Sequence, residues 1–249
     1  MPLNIFRNNY WARRPIEKEL KKFVQEYDKE GRLLDIGCGK KPYKNYFNNI
    51  KYIGLDSDKN SKADVIGNAW DLPFESDSFD VVLAIQSLEH IEKLSESVEE
   101  ISRVLKKGGV AFISVPHTMR NHSDPISSSD IDLNNFDKNE IKYWNNDFWR
   151  FTKFGLITLF NKFEILKVKE TNGYFSTLFQ MKNYFLASLP FNKLFFPIYF
   201  INNLNALICE LFFKGCYFFA RKIGFEKAVR FFDLVYWSLP LNYVVILRK

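Results

Sequence analysis

Asp35 and Asp56 each close a short apolar run, Leu33-Leu34-Asp35-Ile36 and Tyr52-Ile53-Gly54-Leu55-Asp56, and a glycine turn, Gly37-Cys38-Gly39, follows the first. Such a turn lets backbone approach a ligand closely, because Gly37 and Gly39 carry no side chain to hold it off. A carboxylate ending the next strand about twenty residues on accepts hydrogen bonds from both hydroxyls of a ribose. The pattern suits an adenosine. A dinucleotide asks for a third glycine, so that a helix N-terminus meets the pyrophosphate, and Lys40-Lys41-Pro42 stands there instead. Asp35 beside the turn tolerates an amino-bearing or cationic ligand better than a phosphate, which favours S-adenosylmethionine over NAD.

The segments downstream narrow this reading. Asn68-Ala69-Trp70-Asp71-Leu72-Pro73-Phe74 leads into Phe79-Asp80-Val81-Val82-Leu83-Ala84-Ile85, an apolar run suited to the middle of a parallel sheet, and then into Gln86-Ser87-Leu88-Glu89-His90-Ile91. A helical stretch runs to Lys107. Gly108-Gly109 is expected to stop it and to open another buried strand, Val110 to Pro116. In this order and spacing the pieces resemble the class I S-adenosylmethionine-dependent methyltransferases, type 11-like, over residues 30 to 117.

The resemblance implies roles residue by residue. Asp35 and the Gly37-Cys38-Gly39 turn hold the methionine amino group and the ribose edge; Asp56, with Ser57 beside it, binds the ribose hydroxyls. Asn68 and Ala69 contact the adenine, Asn68 standing where the family usually has an aspartate, and its amide oxygen can accept from the adenine amino group. Trp70 either covers the ring or packs a sheet edge. Gln86, at the end of the fourth strand, completes the set. Where the family's first loop usually has another glycine, this chain has Lys41. The implied fold is α/β, a Rossmann-like, mostly parallel sheet of seven strands in the order 3-2-1-4-5-7-6, the last strand antiparallel beside the fifth. The implied reaction is an in-line displacement at the sulfonium methyl, which needs alignment and exclusion of water but no covalent nucleophile. For a hydroxyl acceptor His90 is the first candidate base and His117 the second; His90 otherwise shapes the pocket or bonds to the cofactor.

Elements that must position these residues are regular over the first two thirds of the chain. Pro15 is expected to open a helix in which Ile16, Leu20, Phe23, Val24 and Tyr27 recur at helical spacing. Phe163 to Val168 and Tyr243 to Leu247 complete the sheet. With 249 residues the chain fits a single methyltransferase domain. Its net charge of +6 is spread out, which argues against a nucleic-acid arm. Cys38, Cys209 and Cys216 have neither metal-ligand nor disulfide-framework spacing, so no metal is expected, and the first residues lack a signal-peptide core. These features predict a cytoplasmic protein.

Between the fifth strand and that closing pair, the polar stretch from Pro116-His117 to Asn146 is too long for a plain connector and is assigned to the acceptor pocket. In Phe148-Trp149-Arg150-Phe151-Thr152, Arg150 either binds an anionic acceptor or stacks on its aromatic neighbours, and Trp149 accompanies it at the acceptor. The stretch from Tyr174 to Pro240 is an insert where the family has a short hairpin, and it holds nearly half of the chain's aromatic residues. Asn202, Ala206, Glu210 and Lys214 form one narrow stripe at i, i+4 spacing, and the rest of that surface is greasy. Pro197 and the asparagines interrupt it, so a transmembrane helix is not the first reading. From Tyr217 to Trp237 the pattern predicts one amphipathic helix, with Phe218, Phe225, Val229, Phe232 and Tyr236 on one face and Lys222, Glu226 and Arg230 on another. The insert is either a peripheral contact with an anionic membrane surface or a lid or dimer element. Three functions fit: methyl transfer to a small-molecule or lipid-linked, saccharide-type acceptor; methylation of a quinone precursor; or cofactor binding by a membrane or partner adaptor without catalysis. The residues leave the oligomeric state open.

Overall fold

The computed structural model describes residues 5–119, 147–189 and 192–249. From residue 120 to 146 the stretch assigned to the acceptor pocket lies outside the described residues. In chain order the elements are α1 (Tyr10–Tyr27), β1 (Arg32–Ile36), β2 (Lys51–Asp56), β3 (Val65–Ile66), β4 (Phe79–Ile85), α2 (Leu94–Val104) and β5 (Leu105–Pro116). They continue with α3 (Lys153–Leu159), β6 (Glu164–Thr171), α4 (Tyr174–Ser188), α5 (Phe196–Lys222), α6 (Glu226–Trp237) and β7 (Asn242–Arg248).

The seven strands form one sheet in the order β3-β2-β1-β4-β5-β7-β6, the order the sequence implies. Near-continuous apolar runs put β1 and β4 in its middle, where a parallel strand is covered on both faces: Leu33, Leu34, Val82 and Leu83 are fully buried. Parallel register pairs Asp35 with Gly54 and Leu33 with Val81, so the carboxyl ends of β1, β2 and β4 lie side by side. Ligands of open α/β sheets bind outside those ends. Backbone bonds from His117 N to Leu241 O (2.9 Å) and from Lys249 N to Gly109 O (3.0 Å) run β7 opposite to β5.

Packing divides the chain into two compact units. One holds Leu20–Pro116, the described residues up to Lys169, and Val244–Lys249. Its core includes Phe23, whose ring centroid lies 5.3 Å from that of Phe112, and the fully buried Phe79, Ile101 and Phe160. The other holds the described residues of Met1–Glu19, His117–Arg120 and Glu170–Tyr243, and with them α4, α5 and α6.

Three helix boundaries differ from the sequence expectation. Helix α1 begins already at Tyr10, with Pro15 inside it. Pro15 has no N–H to give the Trp11 carbonyl, and Asn172 Nδ2 donates to that oxygen instead at 2.8 Å. Gln180 Oε1 accepts from the first-turn amides of Trp11 (3.0 Å) and Ala12 (3.3 Å), which have no partner inside the helix. Helix α2 ends at Val104, and Gly108 and Gly109 lie within β5 rather than before it. There the β4–β5 register shifts between Phe79 and Val81, and Lys106 leaves the ladder to pair with Asp80 at 2.8 Å. The single helix expected over 217–237 is broken: α5 ends at Lys222 and α6 starts at Glu226. Gly224 at φ +70° supplies the left-handed residue, and bonds from Phe225 N to Ala220 O (2.9 Å) and Gly224 N to Arg221 O (3.2 Å) complete a Schellman stop.

In the second unit the stripe of Asn202, Ala206 and Glu210 is buried. Facing it from α4, Ser176, Gln180 and Asn183 are buried as well. Asn202 Nδ2 donates to Asn183 Oδ1 at 2.8 Å, Asn183 Nδ2 to Asn203 Oδ1 at 2.9 Å, and Ser176 Oγ to Glu210 Oε1 at 2.8 Å. The Tyr236 hydroxyl of α6 donates to the other Glu210 oxygen.

Candidate functional site

A cleft opens at the carboxyl ends of β1, β2 and β4, within the first unit. Ile36 and Gly37 form one wall; Asp56 and Ser57 follow from β2; Asn68, Ala69 and Trp70 come from the loop after β3; Gln86, Ser87 and His90 come from the segment after β4. Eight residues that the sequence assigns to cofactor or catalysis therefore share one cavity.

The glycine turn is held against β2. Gly37 N and Cys38 N both donate to Leu55 O, at 2.9 and 3.1 Å. Gly37 has φ +71°, and a Cβ there would sit 2.5 Å from Ser87 Cβ. Asp56 is oriented by Gly39 N on one oxygen (2.8 Å) and Asp58 N on the other (2.9 Å), and each oxygen keeps a lone pair for a hydroxyl donor. Lys41, where the resemblance leads one to expect glycine, takes a glycine-like φ of +55°. Its ammonium pairs with Asp64 at 2.5 Å, and Asp64 also accepts from Gly54 N at 2.7 Å, contacts that offset a strain of about 1 kcal/mol.

Asp35, Cys38 and Gly39 support the turn without lining the cleft. Asp35 is buried and accepts from the Tyr52 hydroxyl; burial, opposed by that bond, pushes its pKa up to about 7. Cys38 is buried, and desolvation pushes its thiol up to about 12, which leaves it no role as a nucleophile at neutral pH. Gln86 takes φ +53°, held by its amide bonded to Ser114 O (2.8 Å) and its side chain to Ser114 Oγ (3.0 Å). Such strain at the end of a central strand concentrates at binding sites.

The two acceptor candidates, Trp149 and Arg150, do not line the cleft, and their segment is bonded to the turn at Leu88–His90. Phe148 N and Trp149 N donate to Glu89 O at 2.8 and 3.2 Å, and Trp149 Nε1 donates to Ile91 O at 2.7 Å. Arg150 is gripped at both terminal nitrogens by Asp147 (2.8 and 2.5 Å), so its charge is already balanced. Neither sequence reading of Arg150 includes that contact. His117 is not among the cleft residues; its ring meets Tyr243 edge-on at 5.6 Å. Trp70 carries the Lys93 ammonium 5.8 Å from its ring centroid.

Four contributors carry no assignment in the sequence. Ser87 lines the cleft with a buried hydroxyl that has no hydrogen-bond partner among the described residues. Tyr52, an ordinary strand residue by pattern, fixes Asp35. Glu100 and Arg103 clamp the segment that follows Trp70: Arg103 donates to Leu72 O (3.0 Å) and Phe74 O (2.8 Å), and Glu100 accepts from Leu72 N (2.7 Å). Their i, i+3 spacing on a helix was the available signal. Arg103→Ala is expected to destabilise the protein by about 2 kcal/mol in urea melts, since it strands two carbonyls and Glu100.

Sheet order and cleft thus agree with the resemblance read from the sequence. Residues 34–113 match the family described as methyltransferase domain. It is similar to a Mycolicibacterium smegmatis protein named probable S-adenosylmethionine-dependent methyltransferase, 33% identical over 122 residues, 44% of this chain and 46% of the relative. An uncharacterized protein of Methanocaldococcus jannaschii is 31% identical over 121 residues, 45% of each chain. The chain therefore spans less than half the length of these curated relatives. Among solved structures, the [4+2]-cyclase SpnF superposes with a TM-score of 0.52 at 18% identity, over 93% of this chain and 80% of that one. An S-adenosylmethionine dependent methyltransferase from Mesorhizobium loti gives 0.50 at 13%, over 94% and 98%. At these identities the superpositions speak to the fold.

The cleft fits S-adenosylmethionine on its own chemistry. Asp56 offers two oriented acceptors to a ribose, Ser87 a buried hydroxyl still to be satisfied, and Gly37 a surface that a Cβ would fill.

Proposed function

We propose that this protein transfers the methyl group of S-adenosylmethionine to a hydroxyl of a small-molecule or lipid-linked, saccharide-type acceptor at a membrane surface. The observation that carries methyl transfer is the cleft at the carboxyl ends of β1, β2 and β4, with Asp56 oriented and Ser87 unsatisfied. The relative's name, probable S-adenosylmethionine-dependent methyltransferase, supports the same reading. For a lipid-linked acceptor the support is the large apolar side chains exposed on α5 and α6, beside Arg221, Lys222, Lys227 and Arg230.

The cofactor supplies an electrophilic methyl on a sulfonium. Asp56 and the Gly37 backbone hold the adenosine end, and the cleft wall keeps water from the reacting carbon. With the cofactor bound, the acceptor oxygen would bond to the methyl as its carbon–sulfur bond breaks, and the hydroxyl proton would pass to a base. His90, in the cleft wall, is that base in this proposal. His90→Asn is expected to lower kcat about a hundredfold with cofactor affinity retained, and to remove the rise of rate with pH that a neutral imidazole base produces. An unchanged pH–rate profile overturns the base role.

Purified protein incubated with methyl-labelled S-adenosylmethionine and a lipid extract of the cells that express it tests the whole proposal. Label in the organic phase that mild acid converts to a water-soluble methylated saccharide supports it. Label confined to water-soluble products overturns the lipid-linked acceptor, and label in a redox-active ring product points to a quinone precursor.

A further inference from the structure

We propose that α4, α5 and α6 are inserted into the hydrocarbon of a lipid bilayer from one side, as a monotopic anchor whose polar residues face inward and whose apolar residues face lipid. This goes beyond surface contact and does not rest on the identity of the acceptor.

In water, helices bury apolar side chains and expose polar ones. On the face that joins α4 to α5 the polarity is reversed. The contact between α4 and α5 is made by Ser176, Asn183, Asn202, Asn203 and Glu210, all buried and hydrogen-bonded, with Ala206 between them. Small residues and amide or hydroxyl side chains are what holds helices together when the surrounding solvent is itself apolar. On the outside of α5, Ile198, Ile201, Ile208, Leu211, Phe212 and Phe218 are exposed, Phe212 at 72% and Phe218 at 69%. At 100° per residue these six spread over about half the helix circumference. The stripe that a soluble helix presents to its neighbour is about 100° wide. A solvent that wraps the helix fits the wider arc better than a second copy docked along one line. The outward faces of α4 and α6 continue the surface with Phe185 and Leu234, the latter 73% exposed.

Chain path decides how such an element enters a bilayer. The excursion leaves at Thr171 and returns at Leu241 and Asn242, where Leu241 N donates to Thr171 O (3.1 Å) and Thr171 Oγ1 to Asn242 O (3.2 Å). Entry and exit are therefore on the same side. Helix α5, with 27 residues and a mean hydropathy of 1.3 in its most apolar window, is long enough to cross. The flanking helices, of 15 and 12 residues, fall short of the roughly 20 that a return span needs. The path thus selects insertion in one leaflet over a traverse. Exposed Arg221, Lys222, Lys227 and Arg230 then reach the headgroups, their stems lying along apolar surface.

Flotation of the full chain with vesicles of phosphatidylcholine and phosphatidylglycerol tests this. The expected result is flotation that persists in high salt and after an alkaline carbonate wash. Ile208→Glu and Phe212→Glu, on the outward face, are each expected to cut partitioning by about a hundredfold, the effect of placing a charge in hydrocarbon. Calorimetric binding of S-adenosylmethionine, unchanged in both, shows that they fold; Leu234→Glu on α6 repeats the test should either misfold. Release by high salt overturns insertion in favour of adsorption through the basic residues. A chain that stays out of the vesicles and sediments as a concentration-dependent dimer overturns it in favour of an interface between copies. A chain that inserts but methylates no lipid-linked acceptor refutes that acceptor alone.

Discussion

Gly37→Ala is expected to cost about 3 kcal/mol of stability and to weaken S-adenosylmethionine binding about a hundredfold, whereas Gly39→Ala costs only about 1 kcal/mol. Both glycines have positive φ, +71° and +51°, so both variants carry the backbone strain of an L-residue in the left-handed region. Only at Gly37 does the new Cβ meet an obstacle, Ser87 Cβ at 2.5 Å, while nothing lies within 4 Å at Gly39. The collision involves the first carbon of a side chain fixed to backbone, so the segment after β4 has to move, and Ser87 carries the unsatisfied hydroxyl of the cleft. Urea melts and isothermal calorimetry on the two variants check this together. Equal losses at the two positions would mean that Ser87 yields freely and that the cleft is less tightly defined.

Asp35→Asn is expected to leave stability in acid almost unchanged and to raise it, without cofactor, by an amount on the order of 4 kcal/mol at pH 8. Burial lifts the folded carboxyl from 3.8 to about 7. The folded state therefore binds a proton that the unfolded state has released between those values, and stability falls as pH rises through the interval. The stabilising proton is fully present below about pH 4 and lost above about pH 7. Asparagine accepts from the Tyr52 hydroxyl through its amide oxygen and has nothing to ionise. Urea midpoints measured from pH 4 to pH 8 should show a fall with pH in the parent protein that the variant lacks, so that the difference between the two curves widens toward pH 8; parallel curves would show that Asp35 stays ionised in its buried site.

Much of the cleft was legible because it is written in short segments. A strand that ends in Asp35, a turn with two glycines and a strand that ends in Asp56 are local patterns, and a parallel sheet forces their carboxyl ends together. What was not legible depends on partners far along the chain. Nothing near Pro15 tells that Asn172 takes up the Trp11 carbonyl and lets α1 start at Tyr10. Arg150 reads as a partner for an acceptor or for its aromatic neighbours, and Asp147, three residues before it, holds both of its terminal nitrogens. Gly224 sits inside a helical period, so periodicity runs through it, and only its conformation shows the break. The stripe of Asn202, Ala206 and Glu210 could be read from spacing alone. Its direction could not, because a stripe has the same period whether it faces solvent or a neighbour.

The hydrogen bonds that join Thr171 to Leu241 and Asn242 also bear on how such a protein changes over generations. The ends of the long excursion from β6 to β7 are stitched together as they would be in a tight hairpin. Loop-closure entropy grows only with the logarithm of length, about 0.6 kcal/mol per doubling, so exchanging a turn of a few residues for this excursion costs the sheet roughly 2.5 kcal/mol. Insertions, deletions or wholesale replacement between Thr171 and Leu241 can accumulate without shifting the register of either strand. The helices can therefore follow one evolutionary clock and the cofactor cleft another.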